Sequence, residues 1–103
     1  MTLRLRLVQG RPQGKHLAFD RGEYLVGRGN ECHVRPNSEW VSRQHCLLRV
    51  TQDEAWVRDL GSDTGTLING VRLQREHLLN PGDLLEVGPL VFEVQLSLTS
   101  GQP

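Results

Sequence analysis

Short runs of apolar residues, rather than long helical repeats, dominate the pattern along the chain. In the first run, Leu3, Leu5 and Leu7 alternate with other residues, and this period of two is typical of a strand with one buried face. No segment of ten or more residues repeats its apolar positions at helical spacing. The runs predict strands at residues 3–8, 16–19, 24–26, 46–50, 56–60, 66–68, 84–87 and 90–98. About ten short strands at such spacing indicate a β-sandwich or a barrel.

Turn residues separate these runs. Asn69-Gly70 is the strongest hairpin signal, because both central positions of a type I′ turn need positive φ. In Asn80-Pro81-Gly82-Asp83, the proline presets φ and the glycine supplies a positive φ, which predicts another turn. Residues 35–45 and 60–65 lack a strand pattern, and irregular loops on a rigid β scaffold are where binding residues usually lie.

Length adds a prediction about domain organisation. The chain has 103 residues, which is typical of one domain, and we expect that domain to cover residues 1–98. The last residues, 99–103, are small and polar like the start of a linker, so we expect the chain to be one piece of a longer protein.

Charge and the length of the apolar runs argue against two classes of protein. Lys plus Arg is 12 and Asp plus Glu is 12, and a neutral balance is unlike a general nucleic-acid binder, which needs a basic excess. No apolar run approaches the ~18 residues of a membrane span. Residues 1–21 carry five basic groups and one acid, but Arg4 and Arg6 alternate with leucines and read as the solvent face of a strand.

The cysteines favour a reducing compartment. Cys32 and Cys46 do not form a Cys-x-x-Cys pair, and no N-terminal apolar segment marks secretion. We therefore expect buried free thiols and a cytoplasmic location.

Three groups of loop residues carry candidate chemistry: Gly27-Arg28, residues 42–45 (Ser-Arg-Gln-His) and residues 62–70 (Ser-Asp-Thr-Gly-Thr-Leu-Ile-Asn-Gly). They supply a guanidinium, hydroxyl groups and glycine-rich backbone. Such groups bind a tetrahedral dianion well, with Arg as a charged fork and Ser or Thr as neutral donors.

The order and spacing of these groups resemble the forkhead-associated (FHA) domain, a family that recognises phosphothreonine peptides. The resemblance runs from about Leu3 to Leu98 and includes the turn at residues 80–83. It implies an all-β fold, a two-sheet sandwich of about eleven short, mostly antiparallel strands with the ligand at loops of one end. It also implies a signalling module without enzymatic activity or cofactor, whose partner is a phosphothreonine-containing protein.

The resemblance also implies roles for individual residues. Arg28 matches the Arg of the family's Gly-Arg motif, which meets the phosphothreonine, and Ser42 matches a Ser that donates to a phosphate oxygen. Arg43 can add a contact, and Thr64 is a secondary contact. The residues expected to shape the loops are Gly27, His45, Gly65, Asn69 and Gly70.

Two residues depart from the family pattern. Thr64 stands where many members have an Asn that holds the ligand backbone, and one hydroxyl cannot replace an amide's donor and acceptor. Asp63 precedes it, and a carboxylate there repels a phosphate by about 1 kcal/mol at a wet surface. These residues keep open a phospho-independent interaction or oligomerisation module on the same fold.

Other readings of the same residues compete with this one. Arg28 could brace the sandwich through a carboxylate, and Ser42 could cap a turn; His45 is expected to be structural rather than catalytic. Asp63-Thr64-Gly65-Thr66 matches a dimeric aspartic protease signature, but it falls past the middle of the chain and lacks the preceding apolar strand.

The sequence supports a catalytic triad or a metal site even less than it supports the protease signature. A Ser42–His45–Asp59 triad lacks a nucleophile-elbow signature. The Cys32-His33 and His45-Cys46 pairs do not have zinc-ligand spacing, so we expect no metal. Among the aromatic residues, Tyr24 and Trp56 are expected to pack in the core, whereas Trp40 lies in a loop.

Overall fold

The computed structural model describes residues 1–98 and contains ten strands. The tail expected at residues 99–103 lies outside the described residues. In chain order the strands are β1 Thr2–Gln9, β2 His16–Phe19, β3 Gly22–Val26, β4 Cys46–Val50, β5 Ala55–Asp59, β6 Thr66–Ile68, β7 Val71–Arg72, β8 His77–Leu78, β9 Leu84–Val87 and β10 Leu90–Ser97. No helix long and apolar enough to cross a membrane occurs within residues 1–98.

Two antiparallel sheets form the sandwich. The larger has the strand order β2-β1-β10-β9-β6-β7, and the smaller has the order β3-β4-β5-β8. The all-β, two-sheet prediction is confirmed, with ten strands in residues 1–98 where about eleven were expected. Strands β7 and β8 were not predicted, because two residues are too few to show a periodic pattern.

The core lies between the sheets and follows the alternation seen in the sequence. Leu3, Leu5 and Leu7 of β1 are buried on one face, opposite alternate residues of β4 and β5 in the other sheet, such as Leu48 and Val57. Burying each leucine contributes about 1.5–3 kcal/mol, so this alternation determines which face of each sheet turns inward.

Two aromatic residues pack less deeply than expected. Tyr24 is half-buried at the rim, where its ring packs on Phe19 at 4.9 Å and its hydroxyl donates to Asp20 O at 2.8 Å. Trp56 is half-buried on the outer face of its sheet, because the neighbouring Ala55 and Val57 point inward. Arg49 lies 5.4 Å from the Trp56 ring on the paired strand and covers it.

Both predicted turns are confirmed. Asn69 has φ 52° and Gly70 φ 83°, and together they join β6 to β7 as a two-residue hairpin. Gly82 has φ 88°, and the Asp83 amide donates to Asn80 O at 3.1 Å.

The register of β3, β4 and β5 determines where the long loops lie. Val26 pairs with Cys46, and Cys46 pairs with Asp59, so residues 27–45 and 60–65 leave the sheet at the same end. The short turn at residues 51–54 lies at the opposite end, next to the Val50–Ala55 pair. The sandwich thus brings the two candidate loops together.

Candidate functional site

The loop that follows β3 lies directly against the segment that precedes β4. The Arg28 amide donates to Ser42 O and the Gly29 amide to Arg43 O, both at 3.0 Å. A Cβ on Gly27 would overlap the Arg43 carbonyl and come within 2.8 Å of Ser42 O. Position 27 therefore needs glycine for the close approach of the two backbones.

His45 joins this segment to the loop at residues 60–65, here called the third loop. Its side chain is fully buried, and Nδ1 accepts a hydrogen bond from the Ser42 amide at 3.0 Å. Nε2 lies 2.9 Å from Gly65 O and, with Nδ1 acting as acceptor, carries the proton that it donates there. The ring therefore sets the spacing between Ser42 and Gly65.

Arg28 is exposed and only partly engaged by protein groups. Its Nε donates to the carbonyl oxygen of Val41, the residue that precedes Ser42. Within residues 1–98 the Arg28 guanidinium makes no ion pair. The alternative in which Arg28 braces the sandwich therefore lacks the carboxylate that it requires. The Val41 contact orients the guanidinium beside the Ser42 segment.

Ser42 has a hydroxyl that already accepts one hydrogen bond. The Asp63 amide donates to Ser42 Oγ at 3.0 Å. Within the described residues, that hydroxyl donates to no protein acceptor, so its hydrogen is available to a ligand oxygen. The same hydrogen bond fixes the position of the exposed Asp63 backbone next to Ser42.

Thr64 connects the third loop to the residue before Val41. Its Oγ1 donates to Trp40 O at 2.9 Å, so the hydroxyl hydrogen is committed inside the protein. The Thr64 oxygen keeps a lone pair for an incoming donor. The Trp40 side chain itself is 61% exposed. Its aromatic ring therefore lies at the edge of the loop cluster, the name used here for residues 27–29, 40–45 and 60–65.

Arg43 is exposed and lies near an acidic side chain. Its Nη2 is 3.7 Å from Glu31 Oε1, and Gln44 Nε2 donates to Glu31 Oε2 at 3.0 Å. A backbone hydrogen bond, together with the one from Gln44, lowers the pKa of Glu31. Arg43 is thus attracted toward Glu31 as well as toward any anion at the loops.

Asp59 supports the third loop from below and was not predicted to do so. It accepts hydrogen bonds from the Gly61 and Ser62 amides at 3.0 and 3.1 Å, from Ser62 Oγ at 2.5 Å and from Thr66 Oγ1 at 2.7 Å. Burial raises the pKa of Asp59, but these hydrogen bonds outweigh burial and the net pKa lies below its usual value. An Asp two residues before Gly-Ser is an Asx-turn signal that could have identified it.

Asn69 and Gly70 lie apart from the other candidate residues. Strand β6 separates them from Gly65, and they form the hairpin at its far end. Asn69 Nδ2 donates to Asp83 Oδ1, and Asn69 Oδ1 accepts from the Leu84 amide, each at 3.0 Å. The structure therefore brings together Gly27, Arg28, Ser42, Arg43, His45, Thr64 and Gly65, while Asn69 and Gly70 anchor β6 to β9.

The alternative chemistries find little support in this geometry. Both ring nitrogens of His45 bond to backbone groups, and Asp59 bonds to Ser62 and Thr66, so Ser42, His45 and Asp59 do not form a relay. Burial raises the pKa of Cys46 to about 12, a value that disfavours the thiolate a metal would need. Residues 1–98 contain no group of three or more His, Cys, Asp or Glu side chains placed to hold a metal.

Comparisons with known proteins agree with this architecture. The family model described as FHA domain matches residues 24–88. The proliferation marker protein Ki-67 of Homo sapiens is 31% identical over 74 residues, covering 72% of this chain and 2% of Ki-67. FhaA of Mycobacterium tuberculosis, an FHA domain-containing protein, is 32% identical over 87 residues, covering 84% of this chain and 16% of FhaA. The chain thus spans a small part of these curated relatives.

Two solved structures are similar over almost the whole chain. One, described as a structural and functional analysis of phosphothreonine-dependent FHA domain interactions, has a TM-score of 0.84 at 27% identity and covers 94% of this chain and 98% of that chain. The other is the FhaA FHA domain complexed with the intracellular domain of another protein, with a TM-score of 0.80 at 28% identity and coverage of 90% and 99%. The family model covers most of the chain, and the solved structures share its two-sheet sandwich; the chain belongs to the FHA domain family.

Proposed function

We propose that this chain is a binding module for a phosphothreonine-bearing segment of a partner protein. One observation carries the proposal: Arg28 presents an exposed guanidinium beside Ser42, whose hydroxyl hydrogen is left for a ligand. A charged fork and a neutral donor on a rigid backbone suit a phosphate dianion. The similarity to an FHA domain studied for phosphothreonine-dependent interactions supports this assignment.

The remaining site residues have supporting roles in the proposal. Arg43 adds a long-range attraction that Glu31 partly offsets, and Thr64 accepts a hydrogen bond from the ligand backbone. The residues that hold the loops and the β6–β7 hairpin in place are Gly27, His45, Gly65, Asn69 and Gly70.

We further infer that the module binds without catalysing a reaction and acts in the cytoplasm, in signalling. The polar side chains at the proposed ligand position, Arg28 and Ser42, are placed as donors, which stabilise a bound anion. The free thiols of Cys32 and Cys46 are both buried, which suits a reducing compartment.

A peptide titration tests the proposal. Fluorescein-labelled peptides that differ only in phosphothreonine, phosphoserine or plain threonine are titrated with the protein, and anisotropy is measured. We expect binding of the phosphothreonine peptides alone, and Arg28→Ala should weaken it by about 2 kcal/mol, or roughly thirtyfold. The matched control is Arg75→Ala, which removes an exposed arginine outside the loop cluster.

Two results would contradict the proposal. Equal affinity for phosphorylated and plain peptides would show that the site does not select phosphate. Self-association that persists in Arg28→Ala, measured by sedimentation in the absence of peptide binding, would favour an oligomerisation module on the same fold.

A further inference from the structure

A second concave surface lies outside the loop cluster. This surface, here called the basic groove, has a volume of about 510 Å³, within the range typical of ligand sites. Its floor is apolar, and three cationic side chains stand at its rim: Leu7, Leu17, Leu90 and Phe92 below, and Arg11, Lys15 and Arg35 above. None of the residues assigned to phosphate contact lines it.

Acidic side chains of the described residues balance only part of the positive charge of the groove. Among residues 1–98, no Asp or Glu lines it, and Arg11, Lys15 and Arg35 make no ion pair. Arg35 Nη2 donates to Asn30 Oδ1 at 2.8 Å, but a neutral amide leaves its charge in place. Arg35 also helps to lower the pKa of the nearby Glu31, so Glu31 offsets part of its charge. In a chain with 12 basic and 12 acidic residues, Arg11 and Lys15 together with the partly offset Arg35 give one groove a local positive field.

Backbone hydrogen bonds hold both walls of the groove. In the β1–β2 loop the Leu7 amide donates to Lys15 O at 2.8 Å, and the Gly14 amide donates to Leu7 O at 2.7 Å. In the opposite wall the Val34 amide donates to Leu25 O at 3.0 Å, and the Gly27 amide donates to Val34 O at 2.9 Å. The groove is therefore formed before a ligand arrives, which lowers the entropic cost of binding.

The groove lies close to the proposed phosphate site. Pro89 lines both the groove and a smaller cavity of about 370 Å³ whose wall includes Thr64. Ser38, another lining residue, is four positions before Ser42, and the Val41 amide donates to Ser38 O at 3.1 Å across a turn. An extended peptide advances ~3.3–3.6 Å per residue, so a single peptide can reach both sites.

We propose that the basic groove binds an acidic segment with one large apolar side chain, located in the same partner as the phosphothreonine. The apolar side chain occupies the floor formed by Leu7, Leu90 and Phe92, and the flanking carboxylates face Arg11, Lys15 and Arg35. An apolar anchor with charged groups around it is the usual anatomy of a peptide-binding pocket.

A peptide suits the groove better than a nucleic acid does. Nucleic acid is bound through many phosphates by a broad basic surface, whereas this chain has a net charge of zero and an apolar groove floor. The position of the segment in the phosphorylated partner rests on the proposed function, but the preference of the groove for an acidic segment does not.

Synthetic peptides of defined composition test the inference. Each carries phosphothreonine and, at a graded series of spacings on either side, the extension Glu-Glu-Leu-Glu, Lys-Lys-Leu-Lys or Glu-Glu-Ser-Glu. We expect the Glu-Glu-Leu-Glu extension, on one of the two sides, to raise affinity about tenfold over the unextended peptide at low salt. The other two extensions should raise it less than about threefold.

Charge reversal supplies the matched protein variants. Arg11→Glu with Lys15→Glu should abolish the gain from the acidic extension and change the affinity of the unextended peptide less than about twofold. Arg21→Glu with Arg75→Glu changes the net charge equally at exposed positions outside the groove, and should leave most of the gain intact.

Amide chemical shifts separate the possible results. The peptide Glu-Glu-Leu-Glu without phosphothreonine should shift the amides of Gly14, Lys15, Val34 and Leu90, even if phosphate binding at the loops fails. Equal gains from acidic and basic extensions, or equal losses in the two double variants, would overturn the inference. It would also be overturned if these amides shifted with protein concentration alone, because a second copy of the chain would then be the occupant.

Discussion

Asp63 carries a negative charge in the loop whose backbone contacts Ser42. Its backbone amide is fixed by Ser42 Oγ, so the exposed carboxylate is kept in the loop cluster by a hydrogen bond that the site itself needs. The backbone of Asp63 thus favours binding, by leaving the Ser42 hydroxyl as a donor, while its side chain opposes binding through charge.

We predict that Asp63→Asn strengthens phosphopeptide binding. Two unit charges ~4 Å apart in water repel by about 1 kcal/mol, so removing the exposed carboxylate should raise affinity by up to roughly fivefold. The effect should shrink as salt rises from about 50 to about 300 mM. Anisotropy titration with the phosphothreonine peptide measures both quantities.

Asp53→Asn is the control for this prediction. Asp53 lies in the turn at the opposite end of β4 and β5, so the same loss of charge occurs far from the loops. If both substitutions raise affinity equally, net charge rather than the position of Asp63 is responsible, and the local repulsion is refuted.

At the scale of elements, the β6–β7 hairpin is held by more than its turn. Asn69 adopts φ 52°, a conformation that most residues avoid, and its amide bonds to both Asp83 and the Leu84 amide. Asn69 therefore provides the turn conformation and also connects the end of β6 to the start of β9. Since Gly65 lies at the other end of β6, this anchor steadies the third binding loop.

We predict that Asn69→Ala lowers the free energy of unfolding by about 2 kcal/mol, because it removes two side-chain hydrogen bonds and strains the backbone. Asn69→Gly removes the same hydrogen bonds but tolerates the positive φ, so it should cost less, about 1 kcal/mol. Urea unfolding followed by fluorescence gives both values. Losses below about 0.3 kcal/mol in both variants would contradict the anchoring role.

For the whole molecule, two carboxylates, the partly buried Asp59 and the buried Asp83, connect stability to pH. Burial raises the pKa of Asp83, but hydrogen bonds from the Asn80 amide and Asn69 and the interaction with His77 outweigh it, so the net pKa is lowered, as it is for Asp59. A carboxyl with a lower pKa in the folded state stabilises the fold above its unfolded pKa of ~3.9. That stabilisation is lost as the pH falls through the folded pKa.

We therefore predict that the free energy of unfolding falls steeply below about pH 4, and that Asp59→Asn makes this acid decline shallower. The difference in stability between the two proteins should be largest near neutral pH and shrink at acid pH, where both side chains are uncharged. Urea unfolding across pH measures it, with Asp53→Asn as the control, since the Asp53 carboxylate makes no hydrogen bond among residues 1–98. Parallel curves for wild type and Asp59→Asn would exclude this role.

Much of the fold and part of the site could be predicted from the chain alone. Strands β2, β4, β6 and β9 have the bounds that the apolar runs indicated, because alternation and turn residues act over a few neighbouring positions. The grouping of Arg28, Ser42 and Thr64 followed from the order of short motifs, and the loop positions of all three are as expected. Strands β7 and β8 were missed, because their pairing depends on partners rather than on their own two residues.

The sequence by itself determined an all-β chain with its inward faces, its turns and the residue types available to a phosphate. Only the tertiary structure decided which of their hydrogen-bonding groups remain available to a ligand. The Asp63 amide donates to Ser42 Oγ, the Thr64 hydroxyl donates to Trp40 O, and His45 sets the distance between two loops. Arg11 and Lys15 likewise line the same groove as Arg35 only because the sandwich brings separate loops together. Hydrogen bonds and fields between residues far apart in sequence depend on the folded arrangement, which local pattern does not encode.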